Sequence, residues 1–226
     1  MKNISVISIA YATAICGFLA NAAWQGEMVV SGEIYLAGLT VTVLLALYYL
    51  HKLIGWRRAL AFFAIAALVG YGFEFVGVRY RFLFGQYYYT DFFPCHIAGV
   101  PLIIPLAWFA AVLTSLVVAQ LFLSRKTWPF ATILMSSAIA VMYDIPVEYL
   151  AKNVTHAWIW QGGGILFGVP LVNFIGWFLV TMIVLRFSRS AWRDLDRNAP
   201  AYQNMRLILF VSYGFTLSHL LLSAVL

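Results

Sequence analysis

Apolar residues are grouped along the chain into seven long runs, which are separated by short segments containing charged residues, glycine or proline. A helix needs about 20 apolar residues to cross the roughly 30 Å hydrocarbon core of a bilayer. The pattern therefore predicts an all-α fold, a polytopic membrane bundle of seven transmembrane helices. The predicted spans are Ile4 to Trp24, Ile34 to Leu50, Ala59 to Val78, Ile97 to Leu123, Pro129 to Leu150, Ile165 to Phe187 and Met205 to Leu226.

The composition of the chain supports a membrane location. Of the 226 residues, 64% are hydrophobic and only 10% are charged, whereas a soluble domain carries about 25% charged residues. No stretch outside the apolar runs is long or polar enough to form a separate globular unit. We therefore expect residues 1–226 to form a single integral membrane domain, as a multi-pass protein of the cytoplasmic membrane.

The basic residues predict the orientation of the bundle. If the N-terminus is cytoplasmic, three of the 14 Lys and Arg residues fall in outer segments, namely Arg79, Arg81 and Lys152. This bias follows the positive-inside rule and places the C-terminus outside. The basic residues lie at the ends of the runs and form no basic stripe, so we expect membrane lipid and no nucleic acid as a partner. Cys16 and Cys95 have no metal-ligand spacing, and no metal site is predicted.

Three carboxylic acids interrupt the apolar runs: Glu74, Asp144 and Glu148. An ionisable group inside a membrane span is costly, so each one is a functional-site hypothesis by default. Pro146 lies between the last two acids and is expected to kink the fifth span, since proline removes one helical hydrogen bond. We expect the kink to direct at least one of the two acids inward.

Polar side chains from different spans are predicted to share one layer of the bundle. Its members on four spans are Glu74, Asp144, Asn173 and His219. Counted inward at 1.5 Å per residue, they lie roughly 6 to 12 Å below the outer boundary. His96, at the start of the fourth span, is expected to reach the layer from above. For His219 the sequence favours an ordinary buried histidine, bonded to nearby serines, over a site role.

Aromatic residues make up 17% of the chain and suggest a wall for an apolar ligand. The run Gln86 to Tyr89 is typical of the aromatic belt at a membrane interface. Trp177 lies near the middle of the sixth span, and Trp160 shortly precedes that span. Aromatic faces suit a long apolar ligand and stabilise a cation beside them, so both tryptophans are candidate substrate-binding residues, together with Asp91 of the outer segment.

Structural explanations exist for the same polar residues. Glu148 and Lys152 are four residues apart, and Glu74 and Arg81 are seven apart, so each pair could form an ordinary ion pair at the end of a helix. Asn173 could hold two spans together by an interhelical hydrogen bond. The sequence leaves these alternatives open.

Two segments resemble the carotenoid biosynthesis membrane protein family, which includes the bacterioruberin-type and gamma-carotene 1',2'-hydratases. The first is FEFVGVRYRFLFGQYYYTD, Phe73 to Asp91, which leads into GVPLIIPLAWF, Gly99 to Phe109. The second is YDIPVEYLAKNVTHAWIWQGGGILFGVPLVNFIGWFL, Tyr143 to Leu179. Together they cover roughly a third of the chain, which is far more specific than a short motif.

The resemblance implies a cofactor-independent hydro-lyase that adds water across the terminal isoprenoid double bond of an acyclic carotenoid end. The positions that match the family are Glu74, Asp144, Glu148, Asn173 and Trp177. The implied ligand is a lipophilic carotenoid or another polyisoprenoid. The resemblance also makes other enzymes of the carotenoid pathway candidate partners.

Hydration of a trisubstituted alkene requires an acid that protonates carbon and a second group that accepts a proton from water. From the sequence we favour Asp144 as the acid, with Glu74 or Glu148 as the base and Asn173 holding water. Two alternatives remain open at this point. The chain could be a non-catalytic carotenoid or polyisoprenoid-binding membrane protein, or a proton-coupled transporter that uses the same acids.

Overall fold

The computed structural model describes the backbone of residues 4–25 and 30–225 and the side chains of residues 4–18 and 30–218. Its helices are α1 Val6–Gln25, α2 Gly32–Ile54, α3 Trp56–Tyr80, α4 Ile103–Phe122, α5 Pro129–Asn153, α6 Leu171–Phe187, the short α7 Arg189–Trp192, and α8 Pro200–Val225. Its short strands are β1 Tyr87–Tyr89, β2 His96–Ile97, β3 Val100–Pro101 and β4 Trp158–Trp160. The predicted all-α class is confirmed.

Four of the described helices, α2 to α5, are long and apolar enough to cross a membrane. The residues 6–18 of α1 and the whole of α6 are apolar but shorter. Each of the seven predicted spans overlaps a long helix, and the chain is a membrane protein of helical type. The number of crossings and the orientation stay predictions.

Two helices begin later than the apolar pattern predicts. α4 does not include Ile97, because His96–Ile97 pairs with Val100–Pro101 as a small antiparallel hairpin. α6 does not include Ile165, because the glycine-rich segment that precedes it is not helical and Pro170 lies at the N-cap in an extended conformation. In both places apolar residues lie in loops, where hydropathy alone cannot distinguish them from helix.

α4 is the central helix of the bundle. Most of its residues are buried, and it packs against α3, α5 and α2. The contact with α3 is close at Gly70, where an added Cβ would lie only 2.3 Å from Cγ of Trp108. A larger residue at this position would push the Trp108 ring out of place, so the glycine fixes the position of this tryptophan on the side facing α3.

A small two-stranded sheet joins the α3–α4 and α5–α6 connections at one end of the bundle. β1 and β4 are antiparallel, with Tyr87 opposite Trp160 and Tyr89 opposite Trp158. Successive side chains on a strand point to opposite faces, so these four aromatics share one face while Tyr88 is exposed on the other. We call the set Tyr87, Tyr89, Trp158 and Trp160 the aromatic cap.

The opposite end of the bundle is held by arginines. Arg125 forms an ion pair with Asp196 at 2.8 Å, with both side chains more than half exposed. Arg197 donates hydrogen bonds to the carbonyl oxygens of Gln120 and Leu123, at the end of α4. These bonds satisfy carbonyls that have no partner within the helix.

Candidate functional site

Two carboxyl groups of α5 meet the amide of Asn173 on α6. Nδ2 of Asn173 donates to Oδ2 of Asp144 at 2.7 Å and to Oε1 of Glu148 at 3.2 Å. The two acids are four residues apart and share one helix face, since α5 continues through Pro146. Both are buried, with 0% exposure for Asp144 and 3% for Glu148. One amide group therefore bridges a carboxyl pair.

The second oxygen atoms of the two acids have different surroundings. Oε2 of Glu148 accepts from the indole N–H groups of Trp158 at 3.0 Å and Trp160 at 2.9 Å. Oδ1 of Asp144 is buried and has no hydrogen-bond partner among the described residues. Glu148 thus has three donors, and Asp144 has one.

A third buried acid, Glu74 of α3, is held in the same manner as Glu148. Its Oε1 accepts from Nε1 of Trp108 at 3.2 Å. Its Oε2 accepts from the hydroxyl of Tyr89 at 2.9 Å and also from the hydroxyl of Tyr87. All three donors are neutral side chains.

The aromatic cap connects Glu74 to the pair on α5. Its two tyrosines donate to Glu74, and its two tryptophans donate to Glu148. Across the two strands the rings of Tyr87 and Trp160 are 4.9 Å apart, and those of Tyr89 and Trp158 are 5.9 Å apart. The sheet register therefore sets the positions of both glutamates relative to each other.

The cap tyrosines act as donors over a wide pH range. Burial raises the pKa of Tyr87 and of Tyr89 well above the usual value of 10.0, and the nearby Glu74 carboxyl adds to the effect. Both phenols therefore stay protonated near neutral pH and keep their hydrogen bonds to Glu74.

The ion pairs considered from the sequence do not form. Nζ of Lys152 donates to the carbonyl of Phe167 instead of to Glu148. Among the described residues the pair Arg125–Asp196 is the one ion pair present, and it lies at the other end of the bundle. The site acids are thus bonded by neutral groups and not by cations.

An apolar cavity of about 500 Å³ ends at this polar cluster. Glu74, Glu148 and Asn173 lie in its wall together with Trp160 and Trp177, and most of the remaining lining is aliphatic or aromatic. Trp177 packs on Trp108, with 4.4 Å between the ring centroids. A cavity of this size and chemistry suits an apolar ligand with one reactive end.

The structure does not bring every predicted site residue to the cavity. Asp144 is close to the cluster through Asn173, but its side chain does not line the cavity. Asp91 is exposed, and His96 is half-buried in β2 outside the lining. Left-handed backbone at Cys95, with φ 60°, precedes the β2–β3 hairpin that contains His96. The side chain of His219 lies outside the described residues.

Sequence reasoning identifies the donors Asn173 and Trp160 as site residues but misses Tyr87, Tyr89, Trp108 and Trp158. The run of tyrosines alone predicts an interfacial belt. A signal did exist, since Tyr-x-Tyr and Trp-x-Trp are spaced with the two-residue period of a strand. The prediction of a belt is wrong for two of the three tyrosines, since Tyr87 and Tyr89 point inward and donate to Glu74.

These features define a class of protein: a membrane helix bundle in which a buried carboxyl cluster ends an apolar cavity. Comparison with known proteins identifies the family. Residues 33–226 match the family described as "Carotenoid biosynthesis protein". The chain belongs to this family, and the resemblance found in its sequence is confirmed.

One curated relative is the bisanhydrobacterioruberin hydratase of Haloarcula japonica. It is 30% identical over 155 residues, which cover 66% of this chain and 52% of the relative. The chain therefore matches about half of the length of that relative. No solved structure matches the chain.

Proposed function

We propose that this protein is a membrane enzyme that adds water across the terminal isoprenoid double bond of an acyclic carotenoid end, without a cofactor. The observation that carries the proposal is the apolar cavity that ends at Glu74, Glu148 and Asn173. Membership of a carotenoid biosynthesis family and a distant relative named as a hydratase support it.

The reaction needs one proton donor and one proton acceptor beside the alkene. A proton adds to the CH carbon of the double bond, and the positive charge forms on the carbon that bears two methyl groups. Water then attacks this tertiary cation and loses a proton, so that the product is a tertiary alcohol. Each turnover consumes one alkene and one water, and the catalyst ends as it began.

We assign the proton donor to Glu148. Two carboxyl groups that share one amide in a buried site repel each other if both are ionised, so the pair of Asp144 and Glu148 holds a proton between them. Glu148 lines the cavity and Asp144 does not. The member that meets the alkene is thus Glu148, with Asp144 as its positioning partner, in place of the sequence-based choice of Asp144.

Glu74 is the proton acceptor in this scheme. It lines the same cavity, and no second carboxyl among the described residues shares its donors, so it can be ionised while the pair on α5 holds a proton. It takes the proton that the attacking water loses. Transfer of that proton from Glu74 back to Glu148 through cavity water then resets the site.

Asn173 and the tryptophans complete the assignment. The amide N–H₂ of Asn173 serves the two acids of α5, and no described residue donates to its carbonyl oxygen. That oxygen is the acceptor we assign to the attacking water. Trp160 and Trp177 line the cavity, and their faces stabilise the cation as it forms.

The finer topology is also a proposal. We propose seven crossings of the cytoplasmic membrane with the N-terminus inside, because basic residues are concentrated in the segments that this arrangement places inside. The carboxyl cluster then lies in the outer half of the bilayer.

Expression in a bacterium that accumulates lycopene tests the function. We expect pigments that have gained one water per modified end, detected by mass spectrometry. The control is the double variant Glu74→Gln, Glu148→Gln, which keeps the side-chain shapes but can neither donate nor accept the required protons. Pigments unchanged by a folded, membrane-inserted parent chain would reject hydration and favour a non-catalytic binding protein.

A further inference from the structure

The cavity extends away from the carboxyl cluster into a space between α1 and α2. At its inner limit the hydroxyl of Tyr11 and Oγ1 of Thr42 form a hydrogen bond of 2.7 Å. Thr42 is also 3.2 Å from Oγ of Ser212 on α8. This hydroxyl triad ties three helices together and forms the floor of the space.

Above the floor, α1 and α2 each contribute one helix face to the cavity wall. On α1 the lining residues are Tyr11, Ala14, Ile15 and Phe18, and on α2 they include Ile34, Ala37, Gly38, Val41 and Thr42. Seven or eight residues of helix rise about 10 to 12 Å. At the upper limit, Phe215 of α8 contacts Phe18 at 5.9 Å and Tyr35 at 5.8 Å between ring centroids. We call the space between this aromatic contact and the floor the side slot.

The side slot opens between α1 and α2 on the lateral surface of the bundle. Ala14, Ala37 and Val41 line the cavity and are also exposed. α1 packs mainly against α8, and α2 packs against α8, α4 and α3, so little described packing closes the space between α1 and α2. A Cβ added to Gly38 would meet no atom within 4 Å. In a membrane this apolar opening faces lipid.

We infer that the side slot is a lateral entrance in which the linear polyisoprenoid chain of the ligand lies, extending from the bilayer to the carboxyl cluster. The identity of the ligand rests on the proposed function. A long apolar chain is already dissolved in the bilayer, so a lipid-facing entrance spares it a passage through water. Small residues at Ala14, Ala37 and Gly38 leave width for a methyl-branched chain, while the aromatic cap occupies the outer end of the site.

The test fills the side slot without touching the acids. Gly38→Phe projects a ring into open cavity space. The matched control is Gly17→Phe on α1, where an added Cβ also meets no atom within 4 Å, but the residue is exposed and does not line the cavity. Ala37→Phe is a second slot variant at an exposed position, for use if Gly38→Phe does not fold.

Binding is measured by titrating lycopene into purified protein in lipid vesicles and following its visible absorption. Because the added ring takes the space that the ligand chain would occupy, we expect Gly38→Phe to weaken binding about 10-fold to 100-fold. Gly17→Phe should bind like the parent. If the parent and a folded slot variant bind lycopene equally well, the proposal that the side slot is the entrance is wrong.

A short substrate separates this inference from the proposed function. Myrcene carries the same terminal double bond on a chain too short to need the side slot. We expect Gly38→Phe to lower the turnover of lycopene at least 10-fold more than that of myrcene, because only the longer chain has to lie in the side slot. If the parent binds lycopene but hydrates neither compound, and Gly38→Phe loses binding, the entrance stands and the proposed function fails.

Discussion

The two ends of the bundle hold carboxyl groups in opposite ways. At the arginine end, Asp196 is exposed and paired with a cation, Arg125. At the other end, Glu74 and Glu148 are buried and bonded by neutral hydroxyl, indole and amide donors. A cation fixes a carboxyl in its charged form, whereas neutral donors tolerate both protonation states. The buried cluster therefore suits the proton transfer that we propose, whereas the exposed pair suits anchoring.

Energetics supports the same distinction. A buried carboxyl in a membrane span is costly unless it is fully hydrogen-bonded, and the cluster meets this cost with tyrosine, tryptophan and asparagine donors. Asp144 is the exception, since its Oδ1 has no partner among the described residues. An exposed ion pair contributes only about 0 to 1 kcal/mol. The two ends should therefore respond very differently to neutralisation of an acid.

The largest effect is expected for Glu148→Gln. This change keeps the shape of the side chain but removes the carboxyl that lines the cavity and that we propose as the proton donor. Turnover per folded enzyme should fall roughly 10²-fold to 10⁴-fold, the usual contribution of a general acid. Folded protein should remain abundant, since a neutral amide is cheaper to bury than a charged carboxyl. If the Glu148→Gln enzyme turns over at the parent rate, Glu148 is not the proton donor.

Asp144→Asn sharpens the assignment within the pair. If Asp144 only positions Glu148, Asp144→Asn should lower turnover less than Glu148→Gln does, by up to about 10²-fold. The pH profile of kcat should also change, because a coupled pair of carboxyls is replaced by a single one. Equal losses for the two variants, with an unchanged pH profile, would return the acid role to Asp144.

A substitution in the aromatic cap should have a smaller effect, and on stability instead of on turnover. Tyr87→Phe removes a buried donor to Glu74, which costs about 1 to 3 kcal/mol in unfolding free energy. Tyr88→Phe is the matched control, because Tyr88 is exposed on the opposite face of the same strand. Thermal or denaturant unfolding of both variants measures the difference, and equal stability of the two would contradict the inward role of Tyr87.

The stability of the fold at alkaline pH is a second test of the aromatic cap. Since burial raises the pKa of Tyr87 and Tyr89, the folded state holds their protons more tightly than the unfolded chain. Their contribution to the free energy of unfolding is therefore constant below about pH 10. It falls as the pH rises above this value, because the unfolded chain loses those protons first. The double variant Tyr87→Phe, Tyr89→Phe should therefore lose less stability than the parent above this pH.

The sequence predicted the helices better than it predicted the donors to the acids. Helical rise alone placed Glu74, Asp144 and Asn173 at similar depth, because depth along a span depends on local counting. The cap depends on pairing between Tyr87–Tyr89 and Trp158–Trp160, which are far apart in the chain and form strands of three residues. Such short strands have little periodicity, and their register is a property of the folded loops.

The smallest effect is expected for Asp196→Asn at the arginine end. The change removes an ion pair whose members are 54% and 60% exposed, so the free energy of unfolding should fall by at most about 1 kcal/mol. Arg125 keeps a hydrogen bond to the carbonyl of Leu195, which limits the loss further. Turnover should not change, because Asp196 does not line the cavity. A loss of turnover comparable to that of Glu148→Gln would show that the two ends are coupled, and the distinction between an anchoring end and a proton-transfer end would then be wrong.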